Sequence, residues 1–458
     1  MKVLKFGGTS VGSAQRMREV AELIHAPGQR RLVVLSAMSG TTNTLVAIAR
    51  LLYDGDLAAA TARIEIMRQD YHMVARELLP NEAVATVVIK QLDGVFRTLF
   101  DLTRQPLSAS GERVILAQGE LLSTYLFHQY VTGILGREAV LLPALEFMRL
   151  DQDDEPDAAY IREHLAATLA PHAQEPLFIT QGYICRNTQG HIDNLKRGGS
   201  DYSASLIGAA VSAEEIQIWT DIDGLHNNDP RVVPNTYPLR ELSFDEAAEL
   251  AYFGAKILHP SSVLPARLHG IPVRLLNTMQ PEAPGTLISS KTGREAIKAV
   301  AAKDGITAIN VKSSRMLLAH GFLRSLFEIF ERYRTSIDMI TTSEVAVSLT
   351  IDDASRLPQI LEELRHFGTV EVDTEQTIIC LVGNLSQANH GAAHRAFEAL
   401  QNIPLRMISY GGSPNNISIL VNTADKVQAL QALNAGLFQR TTSHGAVAAK
   451  AEELALQQ

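Results

Sequence analysis

Between residue 1 and about residue 292, short apolar runs alternate with stretches of helical periodicity, and this alternation most restricts the fold. Arg31-Leu32-Val33-Val34-Leu35-Ser36, Leu177-Phe178-Ile179-Thr180, Ile216-Gln217-Ile218-Trp219-Thr220 and Pro272-Val273-Arg274-Leu275-Leu276 read as strands covered on both faces, as in a parallel sheet. Helical spacing separates them, for instance at Val114, Ala117, Leu121, Thr124 and Tyr125. Ser243-Phe244-Asp245-Glu246 reads as a capping box that opens another helix. Residues 45–105 are helical and polar, an excursion over one face. The pattern predicts one large α/β domain with a mostly parallel sheet. After 281–291, rich in Pro, Gly and Ser, the beat changes. Strands are expected over 307–311 and 345–351, helices over 321–333 and 354–366, and a further strand from 370. The same beat returns over 378–382, 390–401, 417–421 and 425–437. Two consecutive small α+β units follow, a design suited to sensing a ligand between paired sheets or simply to pairing subunits.

A chain of 458 residues has room for about three domains. Its net charge of −9 argues against a nucleic-acid or anionic-membrane partner, so any anionic ligand must be met by local cations. Cys185 and Cys380 lie far apart without metal-type spacing, which leaves neither a disulfide framework nor a zinc site and fits a reducing compartment. No apolar run reaches bilayer length, and the first motif begins too close to Met1 for a signal peptide, so the cytoplasm is the expected location.

Four segments carry candidate chemistry. Lys5-Phe6-Gly7-Gly8-Thr9-Ser10 joins an apolar strand to a helical pattern through a Gly-Gly turn, placing a cation and bare amides where phosphate is held. A plain tight turn is the competing reading. Arg197-Gly198-Gly199-Ser200-Asp201-Tyr202 follows a hairpin turned at Gln189-Gly190; it offers a second anion-binding helix start and a guanidinium suited to a carboxylate, or else an ordinary helix cap. The loop from Trp219-Thr220-Asp221 to Asp229-Pro230-Arg231 leaves a buried strand at the edge where open α/β sheets bind ligands, unless it is only a solvated turn at Asp223-Gly224. Phe253-Gly254-Ala255-Lys256-Ile257-Leu258-His259-Pro260 ends a helix with one lysine, which by itself reads as a solvated side chain.

Together, in this order, the four segments resemble the aspartokinase family over essentially the whole chain, with a tail that resembles its paired ACT domains. Thr341-Thr342-Ser343-Glu344-Val345 is similar to the lysine-sensitive, monofunctional class, and no homoserine dehydrogenase half follows. The resemblance implies an amino-acid-kinase fold over 1–293 and two ferredoxin-like ACT domains, 305–375 and 297–304 with 376–445. It implies ATP-dependent phosphorylation of the aspartate β-carboxylate, the first step towards lysine, threonine and methionine, with feedback by lysine. Under it, Lys5, Asp201 and Lys256 are catalytic, and Gly7 and Gly8 bind phosphate. Ser36, Thr42, Glu120, Arg197, Gly199 and Ser200 hold aspartate, with Arg197 on its α-carboxylate and Glu120 on its α-ammonium. Thr220, Asp221, His226, Arg231 and Lys256 line ATP, whose magnesium sits mainly on phosphate oxygens and water, with no protein metal ligand assigned.

Met316, Gly321, Phe322, Leu323, Ser336, Asp338, Ser343 and Glu344 match effector positions; packing of an ACT–ACT interface is the alternative. The resemblance also implies a homodimer or higher homo-oligomer through the ACT domains. Departures from the family pattern are Ile192-Asp193-Asn194-Leu195-Lys196 before Arg197, His226 where tyrosine is common, Tyr183 for phenylalanine, and Leu318-Ala319-His320. The competing functions are another amino-acid-kinase-fold enzyme and a catalytically silent amino-acid sensor.

Overall fold

The computed structural model describes residues 1–438 apart from Arg197, 255–257, Thr292, Arg294, 318–319 and 386–390. The chain divides into two compact units. The first comprises 1–225, 240–244 and 258–291; the second takes 226–239, 245–257 and everything from Thr292 onward. Two segments inside the expected 1–293 domain, 226–239 and 245–257, thus cluster with the C-terminal unit.

In the first unit the chain runs β1 (Lys2–Phe6), α1 (Ala14–Leu23), β2 (Arg31–Leu35), α2 (Thr41–Tyr53), α3 (Leu57–Leu78), α4 (Glu82–Leu102) and α5 (Ala109–Gln129). It continues through β3 (Val140–Leu142), α6 (Ala144–Phe147), α7 (Ala158–Leu169), β4 (Leu177–Gln181), the hairpin β5 (Ile184–Arg186) and β6 (Ile192–Asn194), then α8 (Gly199–Ala210) and β7 (Ile216–Thr220). It closes with β8 (Glu241–Ser243), the first residue of α9 (Phe244–Tyr252), α10 (Leu264–Leu268), β9 (Val273–Asn277) and β10 (Thr286–Ser289).

Among the described residues, eight strands form one sheet in the order β3-β4-β2-β1-β7-β9-β10-β8. All neighbours run parallel except β9 and β10. The four runs read as buried strands are β2, β4, β7 and β9. Leu4, Phe6, Val33, Leu35 and Ile179 face a core completed by Met17 and Val20 of α1 and by the excursion helices α2 to α4. Helix α5 departs from the expected single apolar face. Val114, Leu121 and Tyr125 are half-buried, while Ile115, Ala117, Leu122 and Leu126 are buried, because this helix is covered on more than one side.

The second unit holds α9 from Asp245 onward and a six-stranded sheet, β12-β13-β11-β14-β16-β15. Its elements are β11 (Ala299–Lys312), α11 (Phe322–Arg332), β12 (Ile340–Thr342), β13 (Ala346–Ile351), α12 (Leu357–Leu364), β14 (Thr369–Val382), α13 (Ala392–Ala399), β15 (Met407–Tyr410), β16 (Asn416–Asn422) and α14 (Lys426–Leu437). The repeated beat is present, but the repeats share two continuous strands. β11 and β14 pair antiparallel along their length, with register shifts between Lys303 and Ala308. Gly305 at φ 78° and Glu375 at φ 55° turn the backbone at that break. Two separate cores lie beneath, one on Ile379, Ile417 and Leu433, the other on Ile309, Phe330 and Ile360.

Candidate active site

Strand β1 lies where the chain order reverses, with β2 on one side and β7 on the other; such a switch point opens a crevice at the carboxyl ends of the strands. The last residues of β1 bring Lys5 there, with its Nζ 2.6 Å from Asp201 Oδ1 and both side chains largely buried. Asp201 sits in the first turn of α8. Gly198 and Gly199 enter that helix at φ 71° and 47°, values that cost glycine little, and no side chain caps it. Its leading amides and dipole therefore suit an anion. Gly182 lets α8 come close, since a Cβ there would stand 2.4 Å from Ser200 Cβ. Ser200 in turn accepts a hydrogen bond from Ser36 Oγ at 2.9 Å.

Glu120 of α5 is 4% exposed. Its Oε1 accepts the Ala37 N–H at 3.2 Å, while Oε2 has no hydrogen-bond partner. Burial pushes this carboxyl up to about 7, against the opposing pull of the Ala37 amide and the Lys5 charge. A half-satisfied buried carboxyl is a receptor for a cation. Gly119 makes the approach possible, because a Cβ there would lie 2.8 Å from Ala37 Cβ. One turn on, Ser123 Oγ donates to the Ser36 carbonyl at 2.8 Å. Lys5, Ser36, Glu120, Gly199, Ser200 and Asp201 are thus linked through the ends of β1, β2 and α8 and the middle of α5.

Other sequence-predicted residues stand differently. The Gly7 N–H continues the β1–β7 ladder by donating to the Trp219 carbonyl at 3.2 Å, so this amide is not bare as expected. The Gly8 N–H has no partner among the described residues, and a Cβ on Gly8 would meet the Ala37 carbonyl at 2.9 Å. Thr42 is exposed in the first turn of α2. Thr220 Oγ1 donates to Asp221 Oδ1 at 3.2 Å at the end of β7. His226 and Arg231 belong to the second unit. His226 Nδ1 lies 2.9 Å from Thr236 Oγ1, and Arg231 is exposed with a two-pronged bond to Asp229 of its own turn. Arg197 and Lys256 lie outside the described residues. In the segment that departs from the family pattern, Asp193 is buried against Arg113 at 2.5 Å, and Lys196 pairs with Asp154 at 2.7 Å on the surface.

The effector candidates lie outside the strands of the second unit's sheet, before and at the start of α11 and in the segments before and after β12. Gly321, at φ 86°, starts α11. Phe322 packs edge-on against Phe367, and Met316 joins the same cluster. Gly321 and Phe322 also line an open groove with Arg315, His320, Arg324, Glu328 and His366, in which Glu328 pairs with Arg324 at 2.8 Å. Leu323 and Ser336 are exposed, as are Ser343 and Glu344 in the turn from β12 to β13. The Asp338 side chain is buried and already half-committed: Oδ1 takes Lys303 Nζ at 2.9 Å and the Tyr252 hydroxyl at 2.6 Å, while Oδ2 has no partner.

Sequence reading missed Gly119, Gly182, Ser123 and the Lys303–Tyr252 pair. The available signal was Gly119, a costly residue inside a helix and so one with a packing reason. Tyr183 takes φ 65° and its N–H donates to Ser203 Oγ at 2.8 Å, a local strain beside Gly199. Among the described residues, no helix is long and apolar enough to cross a membrane.

The model of the amino acid kinase family matches residues 1–277, and that of an ACT domain matches 379–437. The chain is 35% identical to lysine-sensitive aspartokinase 3 of Escherichia coli, over 95% of this chain and 99% of that protein. The crystal structure of E. coli aspartokinase III with aspartate and ADP (R-state) superposes with a TM-score of 0.80 at 34% identity, covering 96% of this chain and 100% of that one. The same enzyme with lysine and aspartate (T-state) gives 0.78 at 34% identity and the same coverage. An amino-acid-kinase sheet with an ACT-containing C-terminal unit, matched along nearly its whole length by such enzymes, places this chain in the aspartokinase family.

Proposed function

We propose that the enzyme transfers the γ-phosphoryl group of ATP to the β-carboxylate of L-aspartate, and that lysine inhibits it through the ACT units. The observation that carries this reading is the Lys5–Asp201 pair beside the half-satisfied Glu120 at the sheet's switch point. A carboxylate is already a nucleophile, so no general base is needed. The obstacle is bringing it against a polyanionic triphosphate, and the protein's task is positioning and charge neutralisation.

In this mechanism Lys5 bridges to the transferred phosphoryl group, held in place by Asp201. The Gly8 amide and the leading amides of α8 add partial positive charge. The free Oε2 of Glu120 takes the substrate α-ammonium, and Arg197 takes the α-carboxylate as a bidentate pair. Ser36 and Ser200 flank the reacting carboxylate, with Thr42 beside them. Thr220, Asp221, His226, Arg231 and Lys256 attend the nucleotide. Magnesium accompanying ATP would offset phosphate charge, and no side chain of this protein is assigned to it.

For regulation we assign the lysine site to Met316, Gly321, Phe322, Leu323, Ser336, Asp338, Ser343 and Glu344. Support comes from the unpartnered Oδ2 of the buried Asp338 side chain, which suits an ammonium, and from Arg315 in the groove at Gly321, which suits a carboxylate, Arg324 there being paired with Glu328. The ACT units are taken as 305–375 and 297–304 with 376–445, with homo-oligomerisation through them. A cytoplasmic setting is supported by the free, buried thiols of Cys185 and Cys380.

Trapping acyl phosphate as a hydroxamate, with aspartate, glutamate or N-acetylglutamate as acceptor, tests the reaction. A product that depends on ATP and aspartate is expected, and it should decline as lysine is titrated in. Hydroxamate from glutamate or N-acetylglutamate but not aspartate would replace this reading with another kinase of the same fold.

A further inference from the structure

The segment from Ser36 to Thr42 supplies several of the site's contacts, yet α2 begins at Gly40 with no side-chain cap to hold it. The Ser36 and Ser39 N–H groups donate to the Phe6 and Gly8 carbonyls at 3.2 and 3.1 Å, and Thr41 adds a side-chain grip with both of its branches. The methyl Cγ2 faces α5, where a Cβ on Gly119 would lie 3.2 Å from it. The hydroxyl Oγ1 lies 3.0 Å from the hydroxyl of Tyr71, on excursion helix α3, and both residues are buried. The same segment is tied to α5 by the Ala37 N–H bond to Glu120 and by Ser123 on the Ser36 carbonyl. It is therefore clamped between α5, which bears Glu120, and α3, which bears no residue assigned to the site.

The Tyr71 hydroxyl is not explained by packing. The ring is 2% exposed and sits edge-on to Phe96 at 5.9 Å, a role phenylalanine would fill equally well. Burying a phenol hydroxyl is unfavourable unless it is hydrogen-bonded, so its presence calls for a partner that needs it. Burial first, and the nearby Glu120 charge second among the raising influences, hold the phenol above its usual range, so it stays neutral and able to donate.

We propose that Tyr71 is a positioning residue for the acceptor substrate: through Thr41 it holds residues 36–42 where Ala37 secures Glu120 and Ser36 meets Ser200. This inference rests on the reading of Glu120 and Ser36 as aspartate-binding residues. It gives α3 a part in substrate recognition, although none of its side chains touches aspartate in the mechanism above.

The test is steady-state kinetics of the full-length enzyme carrying Tyr71→Phe, Thr41→Val or both. Loss of one buried hydrogen bond that serves recognition should raise KM for aspartate about three- to tenfold, with KM for ATP unchanged. The double variant should be no worse than the worse single one, because both remove the same bond. A purely structural hydroxyl would lower Tm and leave both KM values alone; that result, or equal rises in the two KM values, overturns the inference. Should the wild-type enzyme prove to use a different carboxylate acceptor, the aspartate reading falls. The Tyr71 inference is then decided by the same KM comparison with that acceptor.

Discussion

Replacing Glu120 by glutamine removes a charge while keeping the size of the side chain and its bond to Ala37. Burial raises the carboxyl from 4.5 to about 7, so near neutrality the free enzyme holds it partly protonated. Only the carboxylate can receive the substrate ammonium at Oε2. The ionised fraction falls from about nine-tenths at pH 8 to about one-tenth at pH 6, so KM for aspartate should rise roughly tenfold over that interval. Glu120→Gln should flatten this profile and lift KM at pH 8 by about 10- to 100-fold, the worth of a hydrogen bond to a charged group. Stability moves the other way. A carboxyl with a raised folded-state value stabilises the fold below its unfolded value, and that contribution is lost as pH rises through about 7. The ligand-free Glu120→Gln protein should therefore melt higher than wild type at pH 8, with a gain on the order of 3 kcal/mol at most, and about equally at pH 4.5. ADP release at saturating ATP gives KM, and calorimetric melting gives the stability. A wild-type KM for aspartate that is flat from pH 6 to pH 8, or a glutamine variant with native aspartate affinity, would refute the assignment of Glu120 to the ammonium.

Two further substitutions probe separate parts of the account. Gly182→Ala puts a Cβ 2.4 Å from that of Ser200, so α8 must retreat; a loss of about 1–3 kcal/mol in thermal stability and a fall in kcat/KM for aspartate should be seen together, and normal kinetics would show that α8 need not be so close. Tyr252→Phe deletes the 2.6 Å bond to Asp338 and frees α9 from the proposed effector residue, so the half-inhibitory lysine concentration should rise about two- to tenfold at an unchanged uninhibited rate. An inhibition curve that superposes on that of the wild type would remove Tyr252 from the regulatory path.

Where the sequence was legible, local chemistry was the reason. A lysine at a strand end and an acidic residue after Gly-Gly are short-range patterns, and the fold brings Lys5 of β1 and Asp201 of α8 into contact. The hairpin at Gly190, the excursion helices and the repeated α+β beat were readable for the same reason. What escaped reading depends on partners distant in sequence. The resemblance puts the boundary between the two ACT units at 304/305, but pairing with β14 carries β11 across it, with register shifts between Lys303 and Ala308. The Gly7 amide looked bare because only the neighbouring β7 reveals its acceptor. Asp338 matches an effector position in the sequence, but only the fold shows that Lys303 and Tyr252, both well before it in the chain, already hold it. β12 and β15, only three and four residues long at the sheet's edges, carry too little pattern to be singled out.

The account turns on a single cation that holds a triphosphate against a carboxylate, and Lys5→Met removes that charge at nearly constant volume. Single-turnover phosphoryl transfer, measured beside calorimetric binding of aspartate, isolates its role. The rate should fall by at least about a hundredfold while aspartate affinity stays within about twofold. A Lys5→Met enzyme that transfers phosphate within about threefold of the wild-type rate would contradict the electrostatic mechanism.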